Sequence, residues 1–402
     1  MTRVEVFSVE QGEERRFFNC KNKTRISIAL LALVLVAVML AILIWVYIGK
    51  GLDGTQAKKN TTASDLWSNI RLPRSSIPVS YDIQLDVDMK NESYHGKVNI
   101  LFRVVATTQL VVFHGKNLQV NQVEIVKGGV KIKTEPLLYN ALYEQYVIQV
   151  KKTLPKDNTY ELKITFSNVL GRNLHGFYMS KFDDSKGKTH KVAMTFFSPV
   201  SARMAIPCFD EPNMKANFTV TISHQEGYHA LANMPAKNTS SHKDRVTTQF
   251  EPSIKMSTYI LCWLISDFKS LNRTLGDLII KTWASEEEVQ NTEYGMNVSL
   301  KLLSHYESYF GIKFPLKKLD IAAVPEFGAG AMENWGLITY RKARFLYNPS
   351  KTSSVVKQRI LNIISHELTH QWFGNLATMD YWIEAWLKEG KNYSDLKTKR
   401  HL

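Results

Sequence analysis

From Ile26 to Gly49 the chain runs 24 residues without a charge. A run of that length can leave water only as a helix that satisfies its own backbone hydrogen bonds. At about 1.5 Å per residue it is long enough to cross the roughly 30 Å hydrocarbon core of a bilayer. A cleaved signal peptide has a shorter apolar core followed by small residues, whereas this run ends in Trp45, Val46 and Tyr47. Arg15, Arg16, Lys21, Lys23 and Arg25 crowd its amino-terminal side, while only Lys50, Lys58 and Lys59 follow closely. The positive-inside tendency then predicts a single-pass type II membrane protein. Residues 1–25 form a cytosolic tail, 26–49 a signal-anchor helix in the lipid bilayer, and the bulk of the chain is extracellular or lumenal, at the plasma membrane rather than an internal one.

The rest of the chain has the composition of a folded protein. Its 402 residues are 44% hydrophobic and 22% charged, enough for more than one core. The net charge of +14 raises nucleic acid as a partner. The Lys and Arg residues are scattered, however, and no zinc finger or RNP segment accompanies them, so no nucleic acid is expected. Three cysteines, Cys20, Cys208 and Cys262, are too few for a disulfide scaffold. Asn60, Asn91, Asn217, Asn238, Asn272, Asn297 and Asn392 each open an Asn-x-Ser/Thr triplet, the acceptor pattern of a glycoprotein on the outer side.

Residues 50–69 are polar, without a hydrophobic period, and read as a stalk. From residue 70 to 271 short runs such as SYDIQLDVDM, GKVNILFRVV, YELKITFS and FTVTISH alternate apolar and polar residues, which predicts half-buried strands. From 272 to 402 helical periods appear, over Tyr294 to Phe310 and again over Ser353 to Phe373. The fold class is α+β and multidomain: a β-rich amino-terminal domain followed by an α+β domain in which helical periods appear.

The chemistry concentrates in the second helical segment. Val355, Ile360, Ile363, Ile364, Leu368 and Trp372 recur at helical spacing, Ser353 or Ser354 can cap the start, and Gly374 can end it. His366 and His370 then stand one turn apart on one face, where two imidazoles reach one metal ion. Glu367 lies beside them, placed to act on a water rather than on the metal. Glu389 follows His370 after 18 intervening residues, where a second short helix returning past the first offers an anionic third ligand. Two His and one Glu bind one zinc ion per chain and leave a fourth position open, as catalytic zinc sites do.

Upstream stands Gly330-Ala331-Met332-Glu333-Asn334. This GAMEN string followed by HExxH-x18-E resembles the gluzincin zinc aminopeptidases, relatives of aminopeptidase N, oxytocinase and the thyrotropin-releasing-hormone-degrading ectoenzyme. RLPRSSIPVSYDIQLDVD, ARMAIPCFDEP and KMSTYILCWLISDF extend the resemblance over most of the outer part. It implies a β-sandwich or saddle-like amino-terminal domain on a thermolysin-like zinc peptidase domain. The implied activity is removal of the first residue from peptides with a free amino terminus. By motif, His366, His370 and Glu389 look like zinc ligands and Glu367 like the general base. Glu333 looks like the anchor for the substrate's α-ammonium, with Gly330, Ala331, Met332 and Asn334 forming the peptide-binding strand around it.

Three departures accompany the resemblance. Where relatives carry a polar or acidic residue before the CFDEP segment, this chain reads Thr195-Phe196-Phe197-Ser198, so Glu333 is expected to carry most of the amine recognition. The likeness is read as ending at Gly390, before Lys391-Asn392-Tyr393-Ser394, which implies a carboxy-terminally shortened, partial peptidase domain. The family's transition-state tyrosine then has no counterpart, and the apolar face of Val355 to Trp372 is expected to lie exposed. Two functions follow from this stage. One is a membrane-bound zinc aminopeptidase. The other is a weak or inactive membrane glycoprotein that binds peptides, forms homodimers or associates with a full-length relative.

Overall fold

The protein is described here by a computed structural model over residues 34–44 and 61–390, in two compact units divided at residue 61. In the first unit, residues 34–44 are helical, and Val34, Leu35, Met39, Leu43 and Ile44 are exposed. Among the described residues no helix is long and apolar enough to cross a membrane. The flanks 26–33 and 45–49, the tail 1–25 and residues 50–60 lie outside the described residues, so the spanning helix rests on the sequence alone.

The second unit begins earlier than residue 70. Thr62 caps the single turn Ala63–Leu66 by accepting from Asp65 N, while the Asp65 carboxylate accepts from Thr62 N, a complete capping box. Trp67 Nε1 donates to Arg71 O at 3.0 Å, and Gln145 Nε2 donates to Asn69 O and Ile70 O. Residues 62–69 are therefore packed structure and not stalk. A capping box is built from polar residues, which is why the segment resembles a linker in composition.

The alternating runs form strands as expected. In Ser76–Asp88 the residues Tyr81, Ile83, Leu85 and Val87 are buried while Gln84 and Asp86 face solvent. This strand pairs antiparallel with Ser93–Val104 and parallel with Asn217–Gln225 inside an eight-stranded sheet. A three-stranded and a four-stranded sheet complete the β-rich domain, and Tyr94 and Phe166 of the eight-stranded sheet meet Phe177 and Trp263 of the four-stranded one in a run of edge-to-face contacts.

A five-stranded sheet then starts the second domain, with its first strand Lys269–Leu275 spanning residue 271. Leu278–Ala284, Lys318–Val324 and Leu337–Arg341 run parallel, and Ala331–Met332 closes the edge antiparallel to the last. Lys318–Val324 is buried along its whole length, as a central parallel strand covered on both faces should be. Helix Glu293–Phe310 ends on Gly311 in the left-handed region, φ 65°. It packs against helix Ser354–Thr369, which carries the histidines.

That packing corrects the expected exposed face from Ile360 onward. Ile360, Ile364 and Leu368 are fully buried and Trp372 nearly so. The helix Glu293–Phe310 supplies the cover, through Tyr306 OH to Ser365 Oγ at 2.7 Å and ring contacts of Tyr306 and Phe310 with Trp372. Val355, at the start of that face, is exposed as expected, and further exposed apolar surface lies at Ile383, Trp386 and Leu387.

Candidate metal and peptide site

Ser353 caps the second helix by accepting from Val356 N. The helix ends at Thr369, short of Phe373, where Asn375 N donates to His370 O and Gly374, at φ 127°, lets the chain turn away. With Ile360, Ile364 and Leu368 turned inward, His366 and His370 project together from another face. Their Nε2 atoms stand 3.1 Å apart, and Glu389 Oε2 lies 3.5 and 3.6 Å from them. Ligands about 2.0–2.1 Å from a tetrahedral zinc lie roughly 3.3 Å from one another. The three donors therefore have the spacing and the chemistry of a zinc site, and they form the metal-competent group found among the described residues.

The surroundings fit the same group. His370 Nδ1 faces Phe373 O at 2.9 Å, so it donates there and leaves Nε2 as the lone-pair nitrogen. Burial and the neighbouring His370 pull His366 down to about 4, which keeps it neutral, the form that binds metal. Burial opposes charge on His370, but Glu333 and Glu389 raise its pKa to about 9, so a metal binding at Nε2 has to displace a proton from that nitrogen. Glu389 is held low against its burial by His370 and Lys388. Glu367 is buried, and its Oε2 has no protein hydrogen-bond partner. Burial and then the Glu333 charge push its carboxyl upward, toward the range of a base that works near neutral pH.

Glu389 reaches the histidines because the loop from Gly374 to Tyr381 is tied to the β-rich domain. Tyr259 OH donates to Gly374 O at 2.8 Å, and Lys215 Nζ donates to Asn375 O and Leu376 O at 3.1 Å. Arg74 and Asn213 hold Asp380 at 2.8 and 2.9 Å, and the Arg71 guanidinium lies over the Tyr381 ring. The RLPRS segment is itself fixed to the CFDEP segment by Arg71–Glu211 at 2.8 Å and Leu72 N to Glu211 Oε1 at 2.6 Å. After a short 3-10 turn, Trp382–Glu384, residues 386–390 are helical and present Glu389.

Glu333 follows the edge strand Ala331–Met332 and is buried, with Met332 and Asn334 buried on either side. Gly330 faces open space, with nothing within 4 Å of where a Cβ would stand. Gln371 Nε2 donates to Glu333 O and to Glu367 O, both at 3.1 Å, and Asn375 Nδ2 donates to Glu333 O at 2.9 Å. One glutamine therefore ties the GAMEN strand to the histidine helix. Lys388 Nζ lies 2.5 Å from Glu333 Oε1 and 3.1 Å from Glu389 Oε1. Burial raises the Glu333 carboxyl, yet Lys388 and His370 overcome this and hold it ionised.

The structure brings His366, Glu367, His370, Glu389 and Glu333 into one connected cluster. Gln371, Asn375 and Lys388 belong to it and were not anticipated. The first two follow the histidine helix directly, where amides just past HExxH could have signalled a tie. Nothing in the spacing points Lys388 at Glu333, 55 residues away. Of the glycosylation acceptors, Asn91, Asn217, Asn238, Asn272 and Asn297 are exposed, and Asn60 and Asn392 lie outside the described residues. Cys208 and Cys262 are buried, free thiols.

Comparison with known proteins agrees with this arrangement. The Peptidase M1 N-terminal domain matches residues 77–260, and the Peptidase family M1 domain matches residues 294–397. The second match passes Gly390, where the likeness was expected to end. The chain is 36% identical over 343 residues to endoplasmic reticulum aminopeptidase 1 of Rattus norvegicus, covering 84% of this chain and 37% of that protein. It is 39% identical to human endoplasmic reticulum aminopeptidase 2, covering 81% and 34%. It is 37% identical to bovine glutamyl aminopeptidase, again covering 81% and 34%. The chain spans about a third of the length of these relatives. With both domain matches in chain order over most of the folded unit, the protein belongs to the peptidase M1 family.

Proposed function

We propose that this chain is a zinc aminopeptidase that removes the first residue of peptides bearing a free amino terminus. The observation that carries the reading is the meeting of two features across one short gap. A triangle of imidazole and carboxylate donors lies at 3.1 to 3.6 Å, and a buried carboxylate, Glu333, is tied through Gln371 to the helix that bears the donors.

His366, His370 and Glu389 would hold the zinc. When bound, the metal supplies Lewis-acid polarisation of the scissile carbonyl and lowers the pKa of water. Glu367 is the base: its raised pKa and unpartnered Oε2 suit it to take a proton from the attacking water and return it to the leaving amine. Glu333 receives the peptide's α-ammonium in a charge-assisted hydrogen bond, which sets the cut one residue from the end. Gly330 leaves room for the peptide beside the edge strand. Residues 26–49 anchor the chain in the bilayer as a type II protein, with the site and the exposed Asn-x-Ser/Thr triplets on the extracellular or lumenal side.

The test is zinc content together with hydrolysis of aminoacyl reporter amides by the purified full chain and its Glu367→Gln variant. One zinc per chain in each protein, with turnover in the parent alone, is the expected result. Zinc without turnover in the parent would replace the enzyme by a peptide-binding glycoprotein, and absence of zinc would remove the basis of the proposal.

A further inference from the structure

Lys388 is an unusual neighbour for a residue meant to receive a substrate cation. Its ammonium is 2.5 Å from Glu333 Oε1, and both side chains are less than a tenth exposed. It is also 3.1 Å from Glu389 Oε1 and 5.3 Å from the centre of the Tyr259 ring. A buried carboxylate, a second carboxylate and an aromatic face are what a primary ammonium seeks, and a peptide's α-ammonium is the same chemical group. On the amine side, then, one buried negative charge has two candidate cations, one internal and one on the substrate.

We infer that Lys388 is a specificity-determining residue that competes with the substrate's α-ammonium for Glu333 and so sets how strongly the site prefers a free amino terminus over a blocked one. The inference rests on the aminopeptidase reading of Glu333. A peptide arriving at the paired Glu333–Lys388 meets a neutral pair and gains little from its charge. A peptide that displaces Lys388 must first break a buried, charge-assisted contact. The lysine stem also lines a cleft with Phe373, Met379, Trp386 and Leu387, which gives the side chain somewhere to swing. Displacement leaves Lys388 to Glu389, which it already contacts and whose other oxygen faces both histidines. Occupancy of the amine site is thereby linked to the ligand set of the metal.

The experiment is equilibrium binding, free of turnover, by calorimetry on the zinc-loaded full chain. The probes are alaninol, leucinol and lysinol and their N-acetyl forms, which lack a scissile bond. Lys388→Met keeps the stem and removes the charge, and Lys388→Asn is the second variant should the first fail to fold. The expected result is that either variant binds at least one free amino alcohol about tenfold or more tightly than the parent, with the acetylated forms unchanged. Unchanged or weaker free-amine binding, or binding by neither parent nor variants, would overturn the inference. Adding Glu333→Gln separates its failure from that of the underlying reading. If Glu333→Gln weakens amine binding while the Lys388 variants do not strengthen it, only the competition is wrong. If Glu333→Gln has no effect, Glu333 is not the amine anchor, and both fall.

Discussion

Glu333 and Glu367 are two buried carboxylates whose surroundings push them in opposite directions, as the proposed division of tasks between them requires. Lys388 holds Glu333 ionised, as a cation receptor must be, while burial and the Glu333 charge lift Glu367, as a proton acceptor requires. Glu367→Gln is predicted to lower turnover by about 10² to 10⁴ while zinc content is unchanged. Loss of zinc in that variant, measured by metal analysis, would contradict the separation of base from ligand. Asn375→Ala removes one of the two amides that fix Glu333 O, and it is predicted to raise KM for peptides more than it lowers kcat. An equal fall in kcat with unchanged KM would place Asn375 elsewhere in the mechanism. At this scale the sequence was most legible where a period carried the information. His366 and His370 meet because four residues make one turn, and Gly330 to Asn334 formed a string. Lys388, Gln371 and Asn375 were not legible because their partners come from a different strand, and only the tertiary fold decides that.

At the scale of elements, the histidine helix is held by burial against Glu293–Phe310 and by Trp372 Nε1 donating to Ile312 O at 3.0 Å. The apolar period of that helix gave its existence and its buried face. The sequence did not reveal that the cover was already present, because Tyr306 and Phe310 belong to another segment some sixty residues upstream. The hairpin of Gly176–Asp183 and Thr189–Phe196 offers a test of pH dependence away from the metal site. His190 lies between Asp267, 2.5 Å from Nδ1, and Asp184, 3.2 Å from Nε2, and stacks on Phe182. Asp183, Glu286, Glu287, Glu288, Lys186 and Lys342 line the same cleft. The bond to Asp267, aided by Asp184, raises the imidazole pKa against burial and against Lys188. A histidine with a raised folded pKa adds stability that is full below its unfolded value of about 6.5 and is lost as pH climbs through the folded value. His190→Gln should therefore lower Tm more at about pH 5.5 than at about pH 9, and a pH-independent difference would contradict the clamp.

Over the whole folded unit, the β-rich domain helps to position the histidine and carboxylate cluster. Arg71, Arg74, Asn213, Lys215 and Tyr259 grip the loop that delivers Glu389. Asn233 donates to Ile260 O and Trp335 O and accepts from Cys262 N, which joins the two domains beside the GAMEN turn. Gly336 sits at φ 81° there, and a Cβ would stand 2.4 Å from Asn233 O. Gly336→Ala is predicted to destabilise the fold by more than about 2 kcal/mol, read from denaturant midpoints, because it adds a backbone clash to an unfavourable φ. A shift under about 0.5 kcal/mol would show that the junction yields easily. The strands of the first domain and the two long helices of the second were legible from the change of period, from two to about 3.6, whereas the five-stranded sheet that opens the second domain was not. The grip between the two domains was not either, since it is made of isolated polar residues without any period.

The most direct test of the whole account is mass analysis of a synthetic nonapeptide incubated with the zinc-loaded full chain. The account predicts a ladder of products shortened one residue at a time from the amino terminus, and no ladder with Glu367→Gln. Internal fragments, or an unchanged peptide in the presence of bound zinc, would contradict it.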